Sequence, residues 1–225
     1  MDKTLVSLKK VGRNFSLGNE QIIALVDVTC QVKMGDHIAI MGPSGSGKST
    51  LMALMAQLDE PTDGLVTWSG LDTTWGLRPR HVGLAFQSAS LIPSLSAIEN
   101  VEMPLLILGD VQNTTSRAQA VLDIVGLAAL ADRLPEELSG GQAQRVGIAR
   151  ALVTNPELIL ADEPTGQLDQ VTAKMLVRSL LGHAKKTGAA LVIATHDPAV
   201  ARQMKFIWHT AHGKLTTRHQ MGLGQ

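Results

Sequence analysis

Gly42-Pro43-Ser44-Gly45-Ser46-Gly47-Lys48-Ser49-Thr50 is the stretch of this chain best equipped for chemistry. It fits the pattern G-x-x-x-x-G-K-[ST]. Glycines at these spacings let the backbone fold tightly and turn successive N–H groups toward an oxyanion. A helix starting here adds the positive end of its dipole. In such a loop Lys48 reaches the β- and γ-phosphates of a nucleoside triphosphate, and the Ser49 hydroxyl ligates Mg²⁺. A Gly/Ser-rich loop that merely carries a lysine is the competing reading. By chance the pattern arises in a chain this long only on the order of 1% of the time. Here the loop also follows a short apolar run, His37 to Met41, and precedes a helix-forming stretch, which is the context that nucleotide binding requires.

A second candidate is Leu158-Ile159-Leu160-Ala161-Asp162-Glu163, a strand-like run ending in two acids. Beside a phosphate loop, Asp162 is placed to help hold Mg²⁺. Glu163 can polarise a water for attack on the γ-phosphate. Alternation along a strand sends neighbouring side chains in different directions, so the two acids can have separate tasks.

These loops need strands to hold them. Leu5 to Val11 reads as a strand, and Ile22 to Val32 as two more pieces. Val66 to Trp68, His81 to Phe86, Leu158 to Ala161, Ala190 to Ala194 and Phe206 to His209 follow. Ser49 to Leu58 and Asp169 to Lys185 read as helices. From about Ser96 to Thr154 the pattern is mostly helical, divided by Pro104, Pro135 and Pro156, with Gly126 ending one helix. Strands separated by helices imply a parallel sheet with crossover helices. The expectation is an α/β fold: a phosphate-loop (P-loop) nucleotide-triphosphatase core with a mainly parallel sheet, an N-terminal antiparallel β part and an inserted helical subdomain. In residues, a single domain over 1–225 has its core in 1–87 and 156–225 and its helical part in 88–155.

Composition excludes several classes. Lys plus Arg equals Asp plus Glu at 20 each, so no global field holds a nucleic acid. Apolar residues make 44% and charged ones 18%, which is globular rather than disordered. Aromatics are 3%, with no tyrosine, against base stacking along single strands. Cys30 stands alone, so no internal disulfide forms, and a reducing compartment is expected. No apolar run approaches the ~20 residues that span a bilayer. Met1-Asp2-Lys3-Thr4 leads into no signal-peptide core. The expected place is the cytoplasm.

The motif that decides the family is Leu138-Ser139-Gly140-Gly141-Gln142, which resembles the signature of ATP-binding-cassette ATPases. Ala143 to Leu152 is similar to that family's signature helix. The resemblance covers about Leu5 to Leu215. It implies that Gln87 senses Mg²⁺ and the membrane partner, and that His196 is the switch histidine at the γ-phosphate. It also implies that Asp169, in Leu168-Asp169, lies in a loop crossing a dimer interface. Ser139, Gly140, Gly141 and Gln142 would close over ATP held by the opposite subunit, in a homodimer or pseudo-dimer around two ATP molecules. Binding would favour the closed state and hydrolysis would release it.

Two departures stand out. The family usually stacks a tyrosine on adenine; this chain has none, and Phe15 occupies a suitable position and keeps the π-face. Gln167 stands where a small residue is commoner. The motifs Leu58 to Gly64 and Asp162 to Asp169 resemble the branch of lipoprotein-releasing, macrolide-exporting, peptide-resistance and cell-division complexes. By resemblance, a separate transmembrane permease docks between the helical part and the core, with Ser90 to Leu95 as the contact. The ATPase would then sit on the cytoplasmic face of the inner or plasma membrane. The alternative is the same clamp acting as a non-transport regulator or force transmitter through a membrane partner. A chromosome- or repair-type ATPase needs long heptad arms that the stretch between Lys48 and Asp162 is too short to supply, and no nucleic-acid partner is expected. The transported substrate belongs to the membrane subunit.

Overall fold

The structure is a computed structural model that describes residues 3–18 and 20–219. Met1 and Asp2, part of the segment read for a leader, lie outside it, as do the last six residues of the expected core. A three-stranded antiparallel sheet forms first, from β1 (Thr4–Leu17), β2 (Glu20–Lys33) and β4 (Asp63–Thr67), in the order β2-β1-β4. A six-stranded sheet holds β3 (His37–Met41), β5 (Val82–Ala85), β6 (Leu158–Asp162), β7 (Ala190–Thr195), β8 (Phe206–Ala211) and β9 (Lys214–His219). Its order is β5-β6-β7-β3-β8-β9. All its neighbours are parallel except β9, which runs antiparallel to β8.

The central strands are apolar on both faces because each face has its own core. Ile38 and Ile40, Leu158 and Leu160, Val192 and Ala194 face one side, with α1 (Lys48–Met55) and the antiparallel sheet. Ala39, Ile159 and Ala161, Leu191 and Ile193 face the other, with α5 (Gln170–Thr187) and the helical segment. That segment holds α2 (Ala97–Ile107), α3 (Thr114–Ile124) and α4 (Gly140–Leu152). A short α6 (Pro198–Ala201) follows β7. Strand alternation with period 2 is what feeds two cores from one sheet.

Several boundaries differ from expectation for local reasons. β2 is one strand, not two pieces; the irregularity sits near Asp27, whose φ is +49°. Pro104 does not divide the helical stretch but lies buried inside α2. Helix α1 stops at Met55 rather than Leu58, because Gln57 turns left-handed with φ +54°. Gly126, with φ +71°, does end α3. The final strand β9 was not foreseen; its Lys214 to His219 stretch carries few apolar residues, as an edge strand permits.

Candidate functional site: a phosphate-loop cleft and a separate signature face

Gln87, Gly42 to Thr50, Asp162 and Glu163, and His196 all follow or end the carboxyl ends of parallel strands β5, β3, β6 and β7. Open α/β sheets bind ligands in that position. A cleft of about 600 Å³ lies there, lined among others by Phe15, Ser44, Gly45, Gly47, Lys48, Ser49, Thr50, Gln87, Asp162, Glu163 and His196. Gly42, Pro43 and Ser46 do not line it; they shape the loop behind it.

The loop's shape follows from close approach. A Cβ on Gly42 would lie 2.3 Å from the Thr210 carbonyl oxygen. Gly47 has φ +100°, and a Cβ there would meet the Ala24 carbonyl at 2.5 Å. Thr210 Oγ1 donates to the Met41 carbonyl at 3.2 Å and lies 2.7 Å from Ser46 Oγ. With its one hydrogen committed to Met41, Thr210 must accept from Ser46. Lys48 Nζ, almost buried, donates to the Gly42 and Pro43 carbonyls at 2.8 and 3.0 Å. The ammonium is thus held over the loop, where an anionic phosphate oxygen can take the place of the neutral carbonyl acceptors.

The two acids differ in setting. Burial pushes the Asp162 carboxyl up from the usual range; a hydrogen bond from the Ser49 side chain pulls it down, Glu163 pushes it up and Lys48 pulls it down. Ser49 and Asp162 thus lie close enough to interact. They are hard oxygen donors beside a phosphate loop, so the residues present fit Mg²⁺. Among the described residues no group of three or more His, Cys, Asp or Glu could hold a metal. A cation here would complete its shell with water and substrate phosphate, as Mg²⁺ commonly does.

Glu163 is only 12% exposed in its side chain, and its Oε2 lies 3.0 Å from Nδ1 of His196, which is 74% exposed. Its φ is +47°, a left-handed conformation that costs a non-glycine residue about 1–3 kcal/mol. Three hydrogen bonds hold it. Glu163 N donates to Ala194 O at 2.9 Å. Its carbonyl accepts from Gly166 N at 3.1 Å and from Gln144 Nε2 at 2.7 Å.

Phe15 is 38% exposed at the mouth of the cleft, paired across the strands with Ile22. The Arg13 guanidinium lies 4.4 Å from the ring centroid and covers one face. Asp59 fixes Arg13 through two hydrogen bonds of 2.8 and 2.7 Å. The other face of the ring remains for a flat apolar partner such as a nucleobase.

The signature residues are not brought to this cleft. Ser139, Gly140 and Gly141 line a separate surface hollow with Arg145, Leu168 and Asp169. Ser139 caps α4: its Oγ accepts from Gln142 N at 3.3 Å, and Gln142 Oε1 accepts from Ser139 N at 2.8 Å. Asp169 caps α5, accepting from Val171 N, Thr172 N and Thr172 Oγ1. Those hydrogen bonds, led by the Thr172 hydroxyl, hold its carboxyl below the usual range. Gln167 alone of this group lines both hollows. The phosphate-loop cleft and the exposed signature cap are thus separate hollows of one chain, with Gln167 on the border of both.

The ABC transporter family profile matches residues 25–166. The chain belongs to the ABC transporter family. As an ABC cassette it is an ATP-binding ATPase. It is 40% identical to the lipoprotein-releasing system ATP-binding protein LolD of Legionella pneumophila, over 97% of this chain and all of that one. It is 41% identical to the macrolide export ATP-binding/permease protein MacB of Syntrophobacter fumaroxidans, over 88% of this chain. It spans 29% of that relative's length. Its fold is similar to the dimeric post-hydrolysis state of the ATP-binding cassette MJ0796 bound to ADP and Pi. The TM-score is 0.89 at 37% identity, over 97% of this chain and all of that one. These relatives lie in the branch that the sequence motifs of the cassette resemble.

Sequence reasoning missed four residues. Thr210 and Gln144 are buried polar side chains that hold the phosphate loop and Glu163. Arg150 ties α4 to the loop after Gln87, donating to the Ala89 and Ser90 carbonyls at 2.8 and 3.1 Å. Asn100, fully buried, accepts from Ile92 N at 2.8 Å and donates to the Ile92, Leu95 and Ser96 carbonyls. The only sequence signal was a polar residue in an otherwise apolar periodic position, as at Thr210 in the strand Phe206–Ala211.

Proposed function

We propose that this cassette closes head-to-tail with a second copy or a related chain around two ATP molecules, and that the cycle drives a separate membrane permease. The separation of the phosphate-loop cleft from the exposed Ser139–Gly141 face carries the reading. One chain offers each half of the site but never both to one nucleotide. Lys48 and the loop N–H groups hold the phosphates, and Phe15 stacks on the base. Ser49, Asp162 and Gln87 would hold Mg²⁺, which would supply Lewis-acid charge stabilisation to the phosphates. Glu163 accepts a proton from the attacking water, and His196 orients Glu163 and touches the γ-phosphate. Ser139, Gly140, Gly141 and Gln142 engage the partner's ATP, with Asp169 near the seam.

The segment 88–155 acts as the arm that meets the permease, against a core of 1–87 and 156–225. A surface hollow of about 520 Å³ between them includes Leu77, Arg78, Ile92, Pro104, Ile107 and Arg150. Phe86, Ile92, Leu106 and Ile107 are exposed around this region. That supports a partner surface. Within Ser90 to Leu95 the exposed apolar residue is Ile92; Leu91 is packed against the core. No helix among the described residues is long and apolar enough to cross a membrane. A place on the cytoplasmic face, attached through the permease, follows from the reading. Lipoprotein release or efflux is the substrate direction that LolD- and MacB-like relatives suggest.

The test is recovery of the Glu163→Gln protein from native membranes with ATP and Mg²⁺, with partners identified by mass spectrometry. A co-purifying polytopic membrane protein supports the permease reading. A homodimer without one, under detergent that preserves a known complex, favours a soluble regulatory ATPase and overturns the permease reading.

A further inference from the structure

Glu163 holds its carboxylate from a backbone conformation that few non-glycine residues adopt. Such a conformation persists only where neighbours over-determine it. Two of its three backbone hydrogen bonds come from nearby main chain, Ala194 O and Gly166 N. The third and shortest comes from a side chain on another element, Gln144 Nε2 on α4 at 2.7 Å. Gln144 is 3% exposed and lines the same cleft as Glu163. Its other amide atom, Oε1, is buried with no hydrogen-bond partner.

Stability alone does not account for a glutamine here. A methionine of similar volume would fill the space without burying an orphaned acceptor. The amide orientation is also fixed. Turned over, Oε1 would face the Glu163 carbonyl, acceptor against acceptor, and the donor would be the buried orphan. What the glutamine adds is one donor aimed at the Glu163 carbonyl.

We propose that Gln144 is a positioning residue for ATP hydrolysis, holding the Glu163 backbone so that its carboxylate meets the attacking water. It touches no reacting atom. Helix α4 thereby carries the Ser139 cap at its start and the clamp on its own chain's Glu163 roughly one and a half turns later. The orphaned Oε1 is the cost of aiming Nε2. This rests on the reading of Glu163 as the group that activates water.

The test compares the full chain with Gln144→Met, Gln144→Glu and Glu163→Gln. Turnover, KM for ATP, affinity for a fluorescent ATP analogue, and melting temperature are measured. For Gln144→Met the expectation is a fall in kcat of about tenfold or more, with KM and analogue affinity within about twofold and an unchanged or higher melting temperature. Gln144→Glu replaces the donor by a carboxyl that donates only when protonated. Lowering the pH protonates that carboxyl and restores a donor toward the Glu163 carbonyl. Its turnover relative to wild type therefore recovers as pH is lowered, a signature that loss of packing does not give. Wild-type kcat in Gln144→Met overturns the proposal. So does a kcat loss matched by loss of nucleotide affinity, or a flat pH ratio in Gln144→Glu. If Gln144→Met does not fold, the pH ratio decides alone. Glu163→Gln separates the two ideas. If it turns over at the wild-type rate, the reading of Glu163 fails and the proposal falls with it. If it is inactive while Gln144→Met is fully active, only the positioning role fails.

Discussion

Gln167 stands over Gly140: its Oε1 lies 2.5 Å from where a Cβ on Gly140 would be. The signature loop and the loop before Asp169 thus touch within one chain, at the position where this sequence departs from the small residue commoner in its family. Gly141 is more tightly confined, since its Cβ would meet Leu168 Cδ2 at 2.7 Å and the Gln167 carbonyl at 3.0 Å. A flexible amide can swing aside, whereas a backbone carbonyl cannot. Gly140→Ala should cost less than about 1 kcal/mol of stability and Gly141→Ala more, by denaturant unfolding. Gln167→Ala should abolish the Gly140→Ala penalty and leave that of Gly141→Ala. Additive effects in the double-mutant cycle would show that the contact carries no energy.

Lys48 is held by two carbonyls, those of Gly42 and Pro43. Lys48→Ala should weaken binding of a fluorescent ATP analogue by about tenfold or more, since a hydrogen bond to a charged group is worth about 1.5–3 kcal/mol. Turnover should be lost. The folded state should survive, because the ammonium is replaced in a loop already pinned by Ser46 and Thr210. Unchanged analogue affinity would contradict the role.

Asp162 carries a carboxyl raised by burial, so the folded protein binds its proton more tightly than the unfolded chain does. The sign follows directly: the nucleotide-free fold loses stability as pH rises from about 4, the unfolded value, through the raised folded value. Asp162→Asn should therefore melt higher than wild type near neutral pH, and the gap should close as pH falls toward 4. Adding Mg²⁺ and ADP should reverse the order, because only wild type gains the cation. A gap independent of pH would exclude the titration of Asp162 as its cause.

Asn100 fastens the Ile92 to Ser96 loop from inside α2. Asn100→Ala should lower stability by about 2–3 kcal/mol, several hydrogen bonds being lost with partial rescue by water. Ile92→Glu should leave stability within about 0.5 kcal/mol, as exposed substitutions do, and abolish permease recovery. Leu91→Glu should fail for a different reason, since Leu91 packs on the core. If Ile92→Glu still co-purifies with the permease, this loop is not the contact.

Much of the site was legible from the chain because its chemistry is local. The phosphate loop is nine consecutive residues, and the acid pair ends one apolar strand. The signature glycines, the capping serine and the glutamine three residues on lie together. Apolar runs on β3, β6 and β7 announced a sheet buried on both faces. Strand and helix ends were less legible. They turn on single left-handed residues such as Gln57, and on the tolerance of α2 for Pro104.

By itself the sequence determined the phosphate loop, its acids, the α/β alternation and the family. Each is a pattern of neighbours whose backbone preferences act within a few residues. Only the tertiary structure decided that Thr210 backs Gly42, that Arg13 covers Phe15 under Asp59, and that Gln144 holds Glu163 from α4. The same is true of Gln167 resting on Gly140, and of the signature cap lining a hollow separate from the phosphate-loop cleft. These contacts join residues far apart in the chain, and they exist because two cores on opposite faces of one sheet bring the elements together. Packing at that range leaves no periodic trace in the order of residues.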